Sequence, residues 1–165
     1  MAEEHDKSYR LLFSYPRMVE NLLRRYVGGG WIENLDFATL EKVSERDVND
    51  YLVRREKDLL WRLRFCDPAT AELSWFYVYV HLELQATSEA FMALRMATHK
   101  LLLLQDLVRR NELAPAGKLP PVLSVVVYTG KAPWKEARSL EELMEPLPGA
   151  ALGEATEGFG LLSYH

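Results

Sequence analysis

Two carboxylates and one amide stand at the ends of two neighbouring apolar segments of the sequence. Asp58 precedes the segment LLWRLRF, while Glu83 and Gln85 close the segment SWFYVYVHLELQ. Carboxylates that are brought together repel each other unless a proton, an arginine or a divalent cation neutralises them. Mg²⁺ is commonly held by one or two carboxylates with waters and a phosphate, and a nearby glutamine can orient a water. The set therefore favours metal-assisted hydrolysis of a phosphodiester.

Both segments alternate apolar and polar residues, which predicts two β-strands joined through a turn at Asp67-Pro68. In an antiparallel pair, residues that lie opposite each other point to the same face of the sheet. Because the two aliphatic faces must line one core, we expect Asp58 to lie opposite Glu83. A neighbouring register would move Asp58 to a position diagonal to Glu83, at about 5–8 Å between Cβ atoms.

Three arginines have the positive charge that a phosphate needs. Arg62 and Arg64 share the predicted strand face of Asp58, and Arg95 follows one turn into the next predicted helix. We expect these three side chains to bind phosphate or DNA. The net charge of −4 argues against a generally basic nucleic-acid binder, but the arginine clusters leave a local basic groove open. A second interpretation also stays open, in which the two carboxylates belong to a surface ladder of salt bridges with Arg62 and Lys57.

Length and composition limit the class of protein. The chain has 165 residues, of which 48% are hydrophobic and 27% charged, as is typical of one globular domain. Its longest apolar runs cover about ten residues, roughly half of a membrane span, and its first residues show no secretory core. Cys66 is the single cysteine, which excludes an internal disulfide and a cysteine-based zinc site. We expect a cytoplasmic protein that has no membrane partner.

Apolar residues with helical spacing mark the N-terminal part of the chain. We expect helical residues over 7–27, interrupted at Pro16, with Ser14 as the cap of the second segment. Residues 39–48 carry the weak pattern of an edge strand.

A long helix and a buried strand are predicted after the two alternating strands. The helix is expected over 89–111, with Ser88 as its cap. Its core-facing stripe is expected to be Phe91 or Ala90, then Leu94, Ala97, Leu101, Leu104 and Val108. The continuous apolar segment 122–128 predicts a strand buried on both faces. Strand, helix and strand together predict a parallel crossover and a mixed α/β fold.

Aromatic and histidine side chains in this region are more typical of packing than of chemistry. We expect core packing, rather than stacking on bases, for Trp61, Trp75, Phe76 and Tyr79. His81 shares the predicted face of Glu83, and we expect it to pack against tyrosines. The sequence indicates no partner for His99.

Four blocks of the sequence, in this order, resemble a known family. The blocks, which span about residues 5–135, are HDKSYRLLFSYPRMVENLLRRYV, KDLLWRLRF, FYVYVHLELQATSEAFMALRM and KLPPVLSVVVYTGKAPW. They resemble the Rpn/YhgA-like family of recombination-promoting nucleases and transposases, an outlying branch of the PD-(D/E)XK nuclease superfamily. The resemblance implies a restriction-endonuclease-like α-β-β-β-α-β core, with a mixed four-stranded sheet flanked by helices, and Mg²⁺-dependent cleavage of DNA.

The resemblance also implies roles for particular residues. Asp58 matches the motif aspartate, Glu83 the acidic residue of the third strand, and Gln85 the position that usually holds a lysine. The pair His5-Asp6 matches the N-terminal signature of the family. Glu20 matches a helix carboxylate that some members use as a further metal ligand.

Two positions depart from the family pattern, and a third has an alternative to the role that the resemblance implies. Gln85 lacks the positive charge of a lysine, although a glutamine at this position is similar to the pattern of this branch of the superfamily. Where family members often have a tyrosine three residues after the arginine, this chain has Thr98 after Arg95. Glu20 lies four residues before Arg24, so an ion pair within one helix is the alternative to a ligand role.

We therefore predict one nuclease-like domain over residues 1–135, with residues 136–165 as its C-terminal tail or as part of a truncated region. Asp58 and Glu83, joined by the backbone carbonyl of Leu84, are predicted to bind Mg²⁺ or Mn²⁺. The predicted function is that of a transposase- or recombination-associated DNA endonuclease. DNA is the expected partner. Because cleavage of both strands needs two active sites, a homodimer on DNA is a further expectation. The alternative is a catalytically inactive nuclease-fold module that binds DNA or protein.

Overall fold

The computed structural model describes residues 2–27, 29–44, 58–83 and 89–145, with side chains except at 2–6, 79, 82 and 83. The helices and strands are α1 (Ala2–Leu12), α2 (Pro16–Leu22), β1 (Leu35–Lys42), β2 (Asp58–Cys66), β3 (Leu73–Glu83), α3 (Met92–Arg109) and β4 (Val122–Tyr128). A π-helical turn at Leu23–Val27 follows α2, and 3₁₀ turns lie at Gly30–Asn34 and Glu141–Leu143.

The four strands form one mixed sheet in the order β1-β2-β3-β4. The first three strands are antiparallel neighbours, whereas β3 and β4 are parallel. Neighbouring parallel strands need a crossover connection, and α3 supplies it. The described residues therefore have the predicted α-β-β-β-α-β order, with a mixed four-stranded sheet flanked by helices, and the fold prediction is confirmed.

One face of the sheet carries an aliphatic and aromatic core beneath α1 and α2. Its buried residues are Phe13, Val19, Leu23, Leu40, Leu59, Trp61, Leu63, Phe76, Val78 and Val80. The odd-numbered residues of β2 and the even-numbered residues of β3 share this face, as the alternation predicts. Trp61 is 1% exposed and Phe76 is 7% exposed, which confirms that both pack in the core.

The other face of the sheet packs against α3, but not through the predicted stripe. The buried residues of α3 are Met92, Met96, His99, Leu103, Asp106 and Leu107. Leu94, Leu101 and Val108 are instead 49, 60 and 52% exposed, so the predicted stripe is wrong. The helix carries apolar residues on two faces, and the face that packs is the one that brings the bulky methionines against Tyr77 of β3. The helix is also shorter than the predicted span 89–111.

The break between α1 and α2 occurs at the predicted proline, but without the predicted cap. The Ser14 hydroxyl donates a hydrogen bond to the carbonyl of Arg10 at 2.6 Å. Tyr15 occupies the N-cap position and makes no side-chain capping bond. Pro16 begins α2 because its fixed φ suits the first helical turn, where its missing N–H leaves no donor unsatisfied.

Both edge strands differ from their predictions. β1 begins at Leu35, earlier than the predicted segment 39–48, of which residues 45–48 lie outside the described part. β4 is an edge strand of the described sheet, and after Val122 its residues are only partly buried, so burial on both faces is wrong. In the part of the chain that the structure describes, no helix has the length and apolar character to cross a membrane.

Candidate active site

A buried carboxylate and a buried histidine face each other where β2 begins. Asp58 is the first residue of β2 and lies opposite His81 of β3. The side chains of Asp58 and His81 are 2% and 0% exposed, and His81 Nδ1 lies 2.5 Å from Asp58 Oδ1. Because an ionised carboxylate only accepts hydrogen bonds, the Nδ1–H group of His81 is the donor. This bond holds the buried carboxylate in one orientation.

A second histidine reaches the same carboxylate from α3. His99 Nδ1 lies 3.7 Å from Asp58 Oδ2, and the His99 side chain is 5% exposed. This distance exceeds that of an N–H···O hydrogen bond, so the pair interacts through electrostatics. Because His99 lies between Met96 and Leu103 on the buried face of α3, packing of α3 on the sheet places it at Asp58.

The register between β2 and β3 differs from the prediction. The prediction that Asp58 lies opposite Glu83 is wrong by two residues, because the opposite residue is His81. Glu83 lies two positions further along β3, at the diagonal position that was the alternative. The two strand ends therefore remain neighbours.

The loop between β2 and β3 fixes this register. The Asp67 carboxylate accepts a hydrogen bond from the Ala69 N–H at 2.8 Å, and the Ala71 N–H donates to the Asp67 carbonyl at 2.7 Å. Ala71 has a left-handed φ of 57°, which turns the chain sharply. The strands consequently pair as far as Cys66 and Leu73. Sequence spacing alone does not specify this closure.

Five predicted site residues lie wholly or partly outside the described structure. Leu84 and Gln85 are outside the described residues, and the side chain of Glu83 is not described. His5 and Asp6 lie on α1, again without described side chains. Their predicted roles stay predictions.

Glu20 forms the ion pair that the sequence offered as an alternative to metal binding. Arg24 Nε donates to Glu20 Oε1 at 2.9 Å, and the side chains of Arg24 and Glu20 are 47% and 34% exposed. The Arg24 guanidinium also lies 4.2 Å from the ring centroid of Phe37. Glu20 belongs to α2, which packs on the sheet face opposite to that of His81, so Glu20 and His81 lie on different sides of the sheet. A ligand role for Glu20 stays a prediction.

Arg62 and Arg64 both lie over the indole ring of Trp75. Their guanidinium carbons are 4.4 and 3.7 Å from the ring centroid, respectively. Arg62 Nε also donates to Glu41 Oε1 at 2.6 Å, whereas Arg64 makes no ion pair with any residue that the structure describes. Arg64 is therefore the better placed of the two to offer its charge to an external phosphate.

Arg95 lies on the helix that contacts Asp58, whereas the other two arginines lie further along β2. It precedes His99 by one helical turn, about 6 Å of rise, and its Nη1 lies 2.8 Å from Glu89 Oε2. Arg62 and Arg64 lie about 13 and 20 Å from Asp58 along β2, at about 3.3 Å per residue. Of these three arginines, Arg95 is therefore the one that shares a helix with His99, which contacts Asp58.

A chain of hydrogen bonds fixes the charge state around Arg62. Tyr77 Oη donates to Glu112 Oε2 at 3.3 Å. Burial raises the pKa of the Tyr77 phenol above 10.0, although Arg62 opposes this rise. Burial alone would lower the pKa of Arg62, but hydrogen bonds to Glu41 and Tyr77 outweigh burial and raise it. At neutral pH the phenol is therefore protonated, and Glu41 balances the charged guanidinium.

No group of three histidine, cysteine, aspartate or glutamate side chains within the described ranges has an arrangement that would hold a metal ion. This result does not include the predicted ligand set, because the Glu83 side chain and Leu84 are outside the description.

A cleft lies away from the predicted site. It has a volume of about 640 Å³ between α3, β4 and residues 134–140. Among the predicted site residues that the structure describes, none lines it.

Sequence reasoning missed that two histidines surround Asp58. The packing of His81 against tyrosines stays a prediction, but the sequence did not predict that its Nδ1 atom contacts Asp58. The sequence feature that could have placed His81 at the site was its position on the same predicted strand face as Glu83. His99 gave no such signal, because its contact depends on which face of α3 meets the sheet.

Comparison with known proteins gives one match. The family model described as "Putative transposase, YhgA-like" matches residues 3–156. The match extends from α1 to beyond β4 and so includes every described element of the sheet. Neither the search of curated proteins nor the search of solved structures gave a match.

Proposed function

We propose that this chain, which belongs to the family described as "Putative transposase, YhgA-like", is a metal-dependent endonuclease that hydrolyses phosphodiester bonds in DNA. The observation that carries the proposal is the position of Asp58. Its buried carboxylate is held by a histidine where β2 begins, beside the end of β3 at Glu83. Carboxylates from two neighbouring strand ends are the donors that Mg²⁺ and Mn²⁺ prefer.

The proposed ligands are Asp58, Glu83 and the backbone carbonyl of Leu84. All three offer oxygen, which suits Mg²⁺ or Mn²⁺ better than a softer metal. Carboxylates that bind metals usually accept hydrogen bonds as well, and the bond from His81 to Asp58 Oδ1 is of this kind. When bound, the cation would stabilise negative charge on the phosphate as a Lewis acid.

The remaining residues would position the substrate. His81 holds the Asp58 carboxylate, and Gln85 orients the attacking water. Arg95 would offset charge on the scissile phosphate. Arg62 and Arg64, which lie further along β2, would bind phosphates that flank it, since the DNA backbone repeats its charge along each strand.

The test is nicking of a supercoiled plasmid by the purified protein with Mg²⁺ or Mn²⁺, with EDTA as a control. We expect the Asp58→Asn variant to lose at least about 100-fold in nicking rate, because loss of a residue that only supports a metal ligand already costs about 10–100-fold. Asp106→Asn is the matched control, because Asp106 is a 7% exposed aspartate on α3, paired with Arg110 at 2.8 Å. Metal-dependent nicking at the full rate by Asp58→Asn would contradict the mechanism.

One observation favours a second candidate, a catalytically inactive module that keeps the nuclease fold and binds DNA or protein. The Asp58 side chain is 2% exposed, whereas a ligand carboxylate must meet a cation and a phosphate. Duplex DNA that is shifted in a gel but never nicked, with either metal, would support this candidate. Nicking that is lost with EDTA and with Asp58→Asn would remove it.

A further inference from the structure

The solvent-facing side of α3 is nearly free of charge. Within this helix and its N-cap, which the structure describes in full, the exposed residues are Phe91, Leu94, Thr98, Leu101, Gln105, Val108 and Arg109. Phe91, Leu94, Leu101 and Val108 are 60, 49, 60 and 52% exposed. The outer side of a helix that packs on one neighbour is ordinarily charged. The composition of this side is therefore that of a contact surface.

The spacing of these residues is that of a helix-pairing seam. Six of them follow each other at alternating intervals of three and four residues, the a and d positions of a heptad repeat. We call these six residues the α3 stripe: Phe91, Leu94, Thr98, Leu101, Gln105 and Val108. The d positions are aliphatic throughout, and two of the a positions are polar but uncharged. Over the 18 residues of α3, the stripe is about 27 Å long.

We propose that the α3 stripe is a dimer interface, on which the α3 stripe of a second copy of this chain packs in antiparallel orientation. The stripe is complementary to itself in that orientation, because every a residue meets a d residue of the other copy. The three contact layers, each formed twice, are Phe91 with Val108, Leu94 with Gln105 and Thr98 with Leu101. A two-fold axis between the central layers closes the contact, as an isologous dimer requires.

The charges beside the stripe permit this pairing. Its flanking positions hold the uncharged residues Ala97, Leu102 and Leu104. Arg95 is held by Glu89, and Arg109 lies at the end of the helix. Antiparallel helices also place opposite ends of their dipoles together. No like charges therefore meet between the central layers of the stripe. Arg95 of one copy and Arg109 of the other lie on the same edge of the pair, but they are offset by about 7 Å along the helix.

Sedimentation equilibrium of the full chain tests the proposal, with no DNA present. We expect the wild type to dimerise and Leu101→Glu to weaken the dimer by about 100-fold, because symmetry removes the anchor from both copies. Leu73→Glu is the matched control, since Leu73 is also 60% exposed but lies on β3. Circular dichroism would show that both variants remain folded, as their exposed positions lead us to expect.

Cysteine cross-linking tests the orientation, in a Cys66→Ser background. A mixture of Leu94→Cys and Gln105→Cys chains is expected to form a disulfide-linked heterodimer. Leu94→Cys chains alone should not cross-link, because two copies of position 94 would lie about 16 Å apart in the antiparallel pair. Efficient cross-linking of Leu94→Cys alone would overturn the antiparallel arrangement.

A wild type that stays monomeric at about 100 μM, or a Leu101→Glu variant that dimerises like the wild type, would overturn the interface. The first result would leave the stripe to a different protein or to residues 146–165 of the chain. Because association is measured without substrate, failure here leaves the proposed nuclease function untouched, and loss of nicking leaves the interface untouched.

Discussion

The contact between Asp58 and His81 predicts a distinctive pattern in the free energy of unfolding. The His81→Leu substitution removes the hydrogen bond that His81 makes to the buried carboxylate of Asp58. Losing the hydrogen bond of a buried polar group costs about 1–3 kcal/mol, with the upper end for a charged group such as a carboxylate. Because the side chains are 2% and 0% exposed, water does not replace the lost donor. We expect His81→Leu to lower the free energy of unfolding by about 3 kcal/mol.

Two further variants separate the hydrogen bond from packing. His81→Asn keeps an N–H donor on the atom bonded to Cγ, the position of Nδ1, but loses most of the ring. We expect it to lose about half as much stability as His81→Leu, since the donor is retained and the packing is not. The double variant Asp58→Leu/His81→Leu removes both polar groups. It should lie within about 1 kcal/mol of the wild type, because apolar replacement of a buried pair is often neutral.

Urea unfolding followed by tryptophan fluorescence measures these values, since the chain has 4 tryptophans. Together with Asp58→Leu, the variants form a double-mutant cycle, for which we expect a coupling energy of at least about 2 kcal/mol. A coupling energy below about 0.5 kcal/mol would refute the view that the two side chains hold each other. If His81→Asn were as unstable as His81→Leu, the loss would come from packing rather than from the hydrogen bond.

Two predictions concern the face of the sheet that carries the arginines. Arg64→Ala is expected to reduce the slope of log affinity for duplex DNA against log salt concentration by about 1. Arg62→Ala should reduce this slope less, because Glu41 already balances the charge of Arg62. Fluorescence anisotropy between about 50 and 200 mM salt measures both slopes, and two unchanged slopes would exclude this face of the sheet from DNA binding. Burial raises the pKa of Tyr77 above 10.0, so the unfolded chain loses this proton first and stability must fall as pH rises above 10.0 toward the folded pKa. In urea unfolding at pH 9–11, Tyr77→Phe should make the loss of stability with pH shallower, whereas Tyr15→Phe, at a 57% exposed position, should not. If the wild type and both variants lost stability equally with pH, the burial of Tyr77 would not be the cause.

The central strands were predictable because alternation has a period of two. Leu59 and Val80 had to share a face for the core to close, and they lie opposite each other in the structure. The same argument accepts any shift of two residues, so it could not choose between His81 and Glu83 as the residue opposite Asp58. That choice depends on the Asp67 loop, whose closure rests on hydrogen bonds and a left-handed Ala71.

The orientation of α3 was not predictable from its own sequence. Leu94, Leu101 and Val108 make as good a helical stripe as Met92, Met96 and Leu103 do, so periodicity alone gives two solutions. The sheet selects one of them by packing, and only then does His99 arrive at Asp58. The contact between His99 and Asp58 therefore depends on the tertiary structure and could not be predicted from the sequence pattern alone.

The burial of Asp58 between two histidines is better explained by function than by stability. Apolar residues of similar volume would fill the space between the sheet and α3 without a desolvation penalty. Buried titratable groups with specific charge partners are most frequent where a site needs a defined carboxylate. If the double variant Asp58→Leu/His81→Leu folds as stably as the wild type, then stability gives no reason for the chain to keep these two residues. The loss of nicking in that same stable variant would show what they are kept for.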